Sequence, residues 1–302
     1  MNLTTEFCGA KMKNPTVLPS GIFGTSAALL KRAAEAGAGA VTMKSIGPRE
    51  REGHANPSIV RWEHGALNCV GLPTPGYKNL GKEWGGLRGI KAPLIASIYG
   101  GTVEEFAEVA GAVAERKPAI IEINISCPNS AKHGQMFGLE PEPAAEVTRA
   151  VKGVCGKIPV MPKLTPNTYK IVEVGKACED AGADALCAIN TLTGMLINAE
   201  ARKPVLSNKF GGMSGAAIKP LALRCVYQLY EEVEIPILGM GGVSSGRDAI
   251  EMIEAGAAAV GVGTAVYGSG PSIFGKVCAE MSEWMEKNGV RNIKELRGVA
   301  HE

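Results

Sequence analysis

The chain has 302 residues and a mass of 31.5 kDa, enough for one large domain or two ordinary ones. Lys and Arg number 32 and Asp and Glu 30, and no long basic run occurs, so the composition argues against a nucleic-acid-binding protein. No apolar stretch reaches the roughly 18 residues that a membrane span needs, and we expect no secretory signal. Eight scattered cysteines, with no Cys-x-x-Cys pair and no His/Cys cluster, predict reduced thiols in the cytoplasm and no metal site.

The first fifteen residues predict a short hairpin. Eight continuous apolar runs follow, which is typical of strands that are covered on both faces. Helix-like stretches lie between most of these runs, and a pattern of helix end, glycine turn and short strand occurs three times. Strands alternating with helices favour a (β/α)8 barrel, with a doubly wound sheet as the alternative. The eight runs are residues 16–19, 39–43, 94–98, 119–125, 159–164, 184–190, 236–240 and 258–263.

Two long segments interrupt this alternation. Residues 45–91 and 193–215 are irregular and rich in Gly and Pro, and we interpret both as insertions on the top face of the barrel. No second domain boundary is visible. The sequence therefore predicts an α/β fold in which residues 1–302 form a single TIM-barrel domain, closed at the bottom by the N-terminal hairpin.

A polar residue or a glycine closes every apolar run. In a barrel of this kind, the active site lies at the C-terminal ends of the strands. Strands often end in polar residues for no functional reason. This explanation is weaker for the two lysines and two asparagines that directly follow apolar runs. We expect a ligand site at Ser20-Gly21, Lys44-Ser45, Ser97, Asn124, Lys163, Asn190-Thr191, Gly241-Gly242 and Gly263-Thr264.

Glycine-rich turns follow the last two runs, at residues 239–245 and 261–264. Glycines allow backbone N–H groups to approach an anion, and barrels often bind phosphate after strands 7 and 8. The same glycines could serve only as turn residues. A dinucleotide-binding motif does not fit, because Ser244 stands where its third glycine belongs. A mononucleotide or a sugar phosphate is therefore the better prediction.

Four side chains are candidates for chemistry. Lys163 is either a Schiff-base nucleophile or a fixed cation beside a ligand, and Lys44 has the same two interpretations. Cys127 follows a strand in a polar loop, so it is either an acid/base group or an inert thiol. The other seven cysteines are interpreted as inert. His133, in the same loop, is a weaker acid/base candidate.

Asn124-Ile125-Ser126-Cys127-Pro128-Asn129, with the glycine-containing continuation through residues 133–138, resembles the active-site loop of class 1 dihydroorotate dehydrogenases. The continuation is similar to that of the class 1B catalytic subunit. Supporting motifs occur along the whole chain in matching order and spacing, which makes the resemblance specific. They are residues 67–73, 163–167, 189–192, 211–220 and 239–242.

The resemblance implies a barrel that holds FMN and oxidises (S)-dihydroorotate to orotate in pyrimidine (UMP) biosynthesis. Cys127 would remove the C5 proton while C6 delivers hydride to the flavin, and Lys163 would lie beside the flavin N1/C2 edge. The implied substrate-binding residues are Lys44, Asn68, Val70, Gly71, Leu72, Asn124, Asn190 and Thr191. The implied cofactor-binding residues are Ser20, Gly21, Lys44, Ser45, Ser97, Asn124, Lys163, Ile189, Gly215, Gly241, Gly242, Gly263 and Thr264.

The resemblance also implies a partner, since this chain shows no dinucleotide motif and no iron–sulfur cysteines. Class 1B enzymes pass electrons to a separate subunit that carries FAD and a [2Fe–2S] cluster and reduces NAD⁺. Two catalytic and two electron-transfer chains form a heterotetramer. Fumarate as the direct acceptor, as in class 1A, is the competing option, and the loop after Cys127 argues against it.

Two positions depart from the family pattern, and three alternative functions stay open. Ser97 replaces a frequent Asn, which would remove one flavin contact, and Thr74 lies in a segment where the family often has Gln-Asn-Pro-Gly. One alternative is a flavin barrel of the dihydropyrimidine dehydrogenase type. A second is a Schiff-base aldolase or phosphosugar isomerase that uses Lys163, and a third is a nucleotide-binding barrel without turnover.

Overall fold

A closed barrel of eight parallel strands forms the centre of the protein. The computed structural model describes residues 1–24, 26–126 and 137–302, apart from the side chain of Lys82. The strands of the chain are β1 Thr5–Phe7, β2 Ala10–Met12, β3 Thr16–Leu18, β4 Ala40–Thr42, β5 Ile59–Trp62, β6 Gly65–Asn68, β7 Leu94–Ile98, β8 Ile120–Asn124, β9 Val160–Lys163, β10 Leu186–Ala188, β11 Leu192–Gly194, β12 Ile197–Asn198, β13 Lys203–Pro204, β14 Gly211–Ser214, β15 Ile237–Met240 and β16 Ala259–Gly261.

The barrel strands lie in chain order around the ring, as β3, β4, β7, β8, β9, β10, β15 and β16. The ring closes where Val260 of β16 pairs with Thr16 of β3. This closure excludes the doubly wound sheet and confirms the predicted barrel. Each of the eight strands also falls within one of the eight apolar runs of the sequence.

Helices connect successive barrel strands. Their amphipathic sequences bury one face against the barrel, as in α3, where Phe106, Val109, Ala110 and Val113 are fully buried at helical spacing. No helix within the described residues is long and apolar enough to cross a membrane. The helices are α1 Ala27–Glu35, α2 Gly81–Gly86, α3 Val103–Ala114, α4 Pro141–Val154, α5 Ile171–Asp180, α6 Lys219–Glu232, α7 Gly246–Glu254, α8 Val266–Ser269 and α9 Ile273–Lys287.

The N-terminal hairpin closes the bottom of the barrel, as predicted. Its strands β1 and β2 meet at a turn in which Cys8 and Gly9 both have positive φ, the conformation that a tight two-residue hairpin requires. Phe7 and Met12 point inward and are almost fully buried. They join an apolar cluster to which every barrel strand or its flanking residue contributes, so the lower half of the barrel is a packed core.

The sequence predicted that the two insertions are irregular, but this prediction was wrong, because both contain β-strands. They pair with each other in a four-stranded antiparallel sheet of order β11–β14–β6–β5. Gly212 of β14 pairs with Asn68 of β6, so the sheet joins residues that lie far apart in the chain. Three of the four strands contain glycine, and only Ala66 and Leu67 of β6 are buried, so the strands lack the apolar alternation by which they could be recognised.

The hairpin makes a testable contribution to stability. Replacing Phe7 with alanine is expected to lower the free energy of unfolding by about 3–5 kcal/mol, since it empties a fully buried aromatic site. Urea denaturation followed by circular dichroism measures the change. Glu6→Ala, on the exposed side of the same hairpin, is the matched control and is expected to stay within about 0.5 kcal/mol of the wild type. Equal effects of the two substitutions would show that the hairpin does not seal the core.

Candidate functional site

A cavity of about 680 Å³ opens at the C-terminal ends of the barrel strands. Its volume is within the ~300–1,000 Å³ typical of ligand sites. The barrel supplies its floor, and the four-stranded sheet of the insertions forms one of its walls, with Asn68, Gly212 and Ser214 among the lining residues. The cavity therefore lies at the face where barrels of this class place their ligands.

The cavity gathers nearly every described residue that the sequence predicted for the site. Ser97 is the exception, since it is fully buried behind the wall and its hydroxyl hydrogen-bonds to that of Ser45 over 2.8 Å. Cys127 and His133 lie outside the described residues. The predicted residues that line the cavity are Ser20, Gly21, Lys44, Ser45, Asn68, Val70, Gly71, Leu72, Asn124, Lys163, Ile189, Asn190, Thr191, Gly215, Gly241, Gly242, Gly263 and Thr264.

A chain of side-chain hydrogen bonds orients two of the predicted asparagines. Asn124, the last residue of β8, donates from Nδ2 to Ser45 Oγ over 3.1 Å and accepts at Oδ1 from Ser126 Oγ over 3.0 Å. Asn190 donates from Nδ2 to Ser126 Oγ, and its Oδ1 accepts from Thr191 N over 2.9 Å. Among the described residues, the second N–H of Asn124 has no partner, so this amide offers a donor to a ligand.

Two further asparagines differ in what they leave for a ligand. Asn68 donates from Nδ2 to Gly212 O over 3.1 Å, which leaves its oxygen to accept a hydrogen bond from a ligand. Asn167 donates to Thr165 Oγ1 and Thr191 O and accepts from Thr193 N at 2.8 Å, so both of its N–H donors are used within the protein. Asn167 lines the cavity and supports the loop of Thr191.

Lys163 and Glu122 bring two charges into the floor of the cavity. The Lys163 side chain is 6% exposed, and its Nζ lies 3.8 Å from Oε2 of Glu122, which is 0% exposed. Ser20 bridges the two, because its Oγ accepts from Lys163 Nζ at 3.3 Å and donates to Glu122 Oε1 at 3.0 Å. Sequence reasoning missed Glu122. The signal was a carboxylate standing alone in the apolar run of β8.

Five of the seven described cysteines are buried. Burial raises the pKa of Cys178 to about 12 and that of Cys155 to about 11. Burial also raises the pKa of Cys187, which lies on β10 next to Lys163, well above its ordinary value. These groups stay protonated near neutral pH, as expected for inert thiols, and none of the three can act as a base there.

The glycine-rich turn after β15 presents bare backbone to the cavity. Gly241 and Gly242 have φ of +132° and +80°, conformations that favour glycine. Asp248, in the first turn of α7, accepts from the backbone N–H groups of Ser244 and Ser245 at 3.0 and 2.9 Å and completes a capping box. An anion at this turn must therefore use amides that precede Ser244.

One part of the cavity was not predicted at all. The β5–β6 hairpin contributes Arg61 and Trp62 from β5 and His64 from the turn, and Arg61 donates to the backbone oxygen of Tyr267 over 3.1 Å. Thr74, by contrast, is not a lining residue, since its hydroxyl accepts from the backbone N–H groups of Gly47 and Gly76. Within the described residues, no cluster of three His, Cys, Asp or Glu side chains could hold a metal ion.

Several known proteins are similar to this chain over nearly its whole length. A family model described as dihydroorotate dehydrogenase matches residues 2–285. A relative from Methanosarcina mazei, named dihydroorotate dehydrogenase B (NAD⁺), catalytic subunit, is 48% identical over 296 residues, or 97% of this chain and 94% of that protein. Proteins of the same name from Methanocaldococcus jannaschii and Pyrococcus abyssi are 47% and 44% identical, each over 99% of this chain and 98% and 99% of their own lengths. The chain therefore belongs to the dihydroorotate dehydrogenase family, among its type B catalytic subunits.

Proposed function

We propose that this chain oxidises (S)-dihydroorotate to orotate on a bound FMN and passes the electrons to NAD⁺ through a partner subunit. The observation that carries the proposal is the single cavity at the strand ends, which is lined by nearly all the described residues that the family resemblance selects. Residues from almost every barrel strand end contribute, and such a convergence is unusual unless one ligand contacts them all. In this proposal, residues 1–302 act as one FMN-binding barrel.

The lining of the cavity fits FMN. The turn at Gly241 and Gly242 offers bare backbone to a phosphate, and the ammonium of Lys163 lies at the floor, where the electron-accepting ring would gain negative charge. Ser20, Ser45 and Asn124 add hydroxyl and amide groups to the lining of the same cavity. When bound, FMN supplies the acceptor for the hydride that leaves C6 of the substrate.

The asparagines suit the substrate, a ring with alternating N–H and C=O groups and a carboxylate. Asn124 offers an N–H donor and Asn68 an oxygen acceptor, so the two amides recognise complementary edges. Residues 70–72 turn at Gly71 and Leu72, both with positive φ, and a side chain at Gly71 would meet His54 N at 2.8 Å. This turn brings backbone amides to the cavity, where with Lys44 they would bind the carboxylate.

Cys127 is the proposed base. It directly follows Ser126, whose hydroxyl links Asn124 and Asn190 at the cavity wall. The Cys127 thiolate would take the proton from C5 of the substrate while the hydride leaves C6 for the flavin, so that the C5–C6 bond becomes a double bond. A thiol is suited to this role because its ordinary pKa of ~8.5 is close to physiological pH.

The electrons need an onward route. The relatives are named as NAD⁺-dependent catalytic subunits, and such a name supports a separate electron-transfer chain. We propose a partner that carries FAD and a [2Fe–2S] cluster, in a cytoplasmic heterotetramer built around a dimer of this chain. The Schiff-base alternative is disfavoured because the Lys163 side chain is 6% exposed and its Nζ is held by Ser20 Oγ at 3.3 Å and Glu122 Oε2 at 3.8 Å, so the amine is not free to attack a carbonyl.

The first experiment is an anaerobic absorbance titration of the purified chain. We expect a yellow protein with an oxidised flavin spectrum that bleaches when dihydroorotate is added, because the reductive half-reaction needs only this chain. A flavin that binds but stays oxidised would point to another substrate, with dihydropyrimidines as the next to test. A chain that cannot be loaded with FMN would contradict the proposal.

The base is tested by substitution. Cys127→Ser is expected to lower the rate of flavin reduction by dihydroorotate at pH 7.5 at least 100-fold, in line with the ~10²–10⁴-fold typical of general base catalysis, because a hydroxyl is far less acidic than a thiol. Stopped-flow absorbance measures the rate. Cys278→Ser makes the same chemical change outside the cavity and should leave the rate unaltered. An unchanged rate in Cys127→Ser would remove the thiol from the mechanism.

The partner is tested by the choice of acceptor. The chain alone, given dihydroorotate, should reduce the artificial dye dichlorophenolindophenol but not NAD⁺, because its sequence carries no dinucleotide-binding motif. Adding the electron-transfer subunit should restore NAD⁺ reduction. Reduction of NAD⁺ by the chain alone, as fast as the dye, would disprove the need for a partner, and rapid reduction of fumarate would favour the class 1A route.

A further inference from the structure

The carboxylate of Glu122 is the one fully buried acidic side chain among the described residues, and the mechanism above gives it no role. It points from the middle of β8 into the barrel, below the cavity floor, and it is not a lining residue. Its Oε1 accepts the hydroxyl proton of Ser20, but its Oε2 has no hydrogen-bond partner. A buried charge with half of its acceptor capacity unused is costly unless an opposite charge lies close by.

The nearest opposite charge is the ammonium of Lys163 on the neighbouring strand β9. The two residues are linked by a direct approach of 3.8 Å and by Ser20, which contacts both. Adjacent strands fix this geometry, since Glu122 pairs in register with Met161, two residues before Lys163. Both side chains therefore point into the barrel from neighbouring strands. The Glu122 carboxylate lies lower, and the Lys163 ammonium lies at the level of the cavity.

We propose that Glu122 is a positioning residue for Lys163, a buried carboxylate that holds the lysine side chain against the cavity floor and keeps its amine charged. Ser20 is the bridge that fixes the distance between them. The effect of this pair on the reaction rests on the proposed function, in which Lys163 lies beside the electron-accepting ring of FMN. The pair itself is a property of the protein alone.

Other titratable groups lie around the pair. Cys187 on β10 interacts with both Glu122 and Lys163, but burial keeps it a neutral thiol. Lys44, which follows β4, comes near Gly21, beside Ser20. Glu122 is thus the one described carboxylate in contact with Lys163, and removing its charge leaves the buried ammonium without compensation.

The test measures the charge of Lys163 directly in the protein without added flavin. Trace acetic anhydride acetylates only uncharged amines, and mass spectrometry gives the rate at each lysine, with the exposed Lys91 as the internal reference. Because the substitution favours the uncharged form, Glu122→Gln is expected to raise the rate at Lys163 at least tenfold at pH 7.5. The ratio to wild type should then shrink as the pH rises towards 10.5, where the uncharged form gains in both proteins.

A matched control separates charge from structure. Glu140→Gln removes a carboxylate 2.7 Å from Lys170 in an exposed pair, and it should leave the rate at Lys163 unchanged. A ratio for Glu122→Gln that stays constant with pH would show a looser structure and not a change of charge, and it would overturn the proposal. So would an unchanged rate at pH 7.5.

Two further measurements complete the test. If Glu122→Gln does not fold, Ser20→Ala removes the bridge between the two side chains and should raise the rate at Lys163 at least twofold at pH 7.5, and an unchanged rate would overturn the proposal. In protein loaded with FMN, the midpoint potential of Glu122→Gln should fall more steeply with pH, by up to about 30 mV per unit, the equivalent of a tenfold change for two electrons. A labelling effect without this change would support the pair while contradicting the proposed place of the flavin.

Discussion

The closure of eight short parallel strands into one ring is the constraint on which the rest of the structure depends. Val260 must pair with Thr16, and once it does, every strand ends at the same rim. The last residues of β8 and β9, Asn124 and Lys163, then become neighbours although 38 positions separate them in the chain. The N-terminal hairpin makes this arrangement stable by filling the opposite end, so that the upper end alone remains hollow.

The insertions turn that open rim into a site. Their sheet pairs Gly212 with Asn68 and so fixes the backbone of a residue that the barrel itself does not hold. The amide of Asn68 is oriented by the same pairing, since it donates to Gly212 O. On the opposite side, Ser126 orients the amides of Asn124 and Asn190. The hydrogen-bond donors and acceptors are thus oriented before a ligand binds, which lowers the entropic cost of binding.

Sequence reasoning predicted the elements that depend on local pattern. Apolar runs predicted the barrel strands, and the polar residues after them predicted much of the cavity lining, because strand ends in a barrel share one face. It missed what depends on pairing between distant segments. Half of the strand at residues 211–214 is glycine, and its partner at 65–68 lies almost 150 positions earlier. Glu122 was hidden for another reason, since a single charge does not change the period of an apolar run.

The pairing of Glu122 with Lys163 also determines how far the charge of the lysine acts. A carboxylate at 3.8 Å cancels most of the ammonium field at long range, whereas a group in direct contact with the amine still meets a positive donor. In the proposed reaction, the pair would therefore stabilise negative charge that develops at the floor without drawing anions to the cavity from a distance. The attraction for a phosphate or a carboxylate must come from other groups, such as Lys44 and the backbone amides around Gly71 and Gly242. Binding and charge stabilisation are in this way assigned to different residues of one cavity.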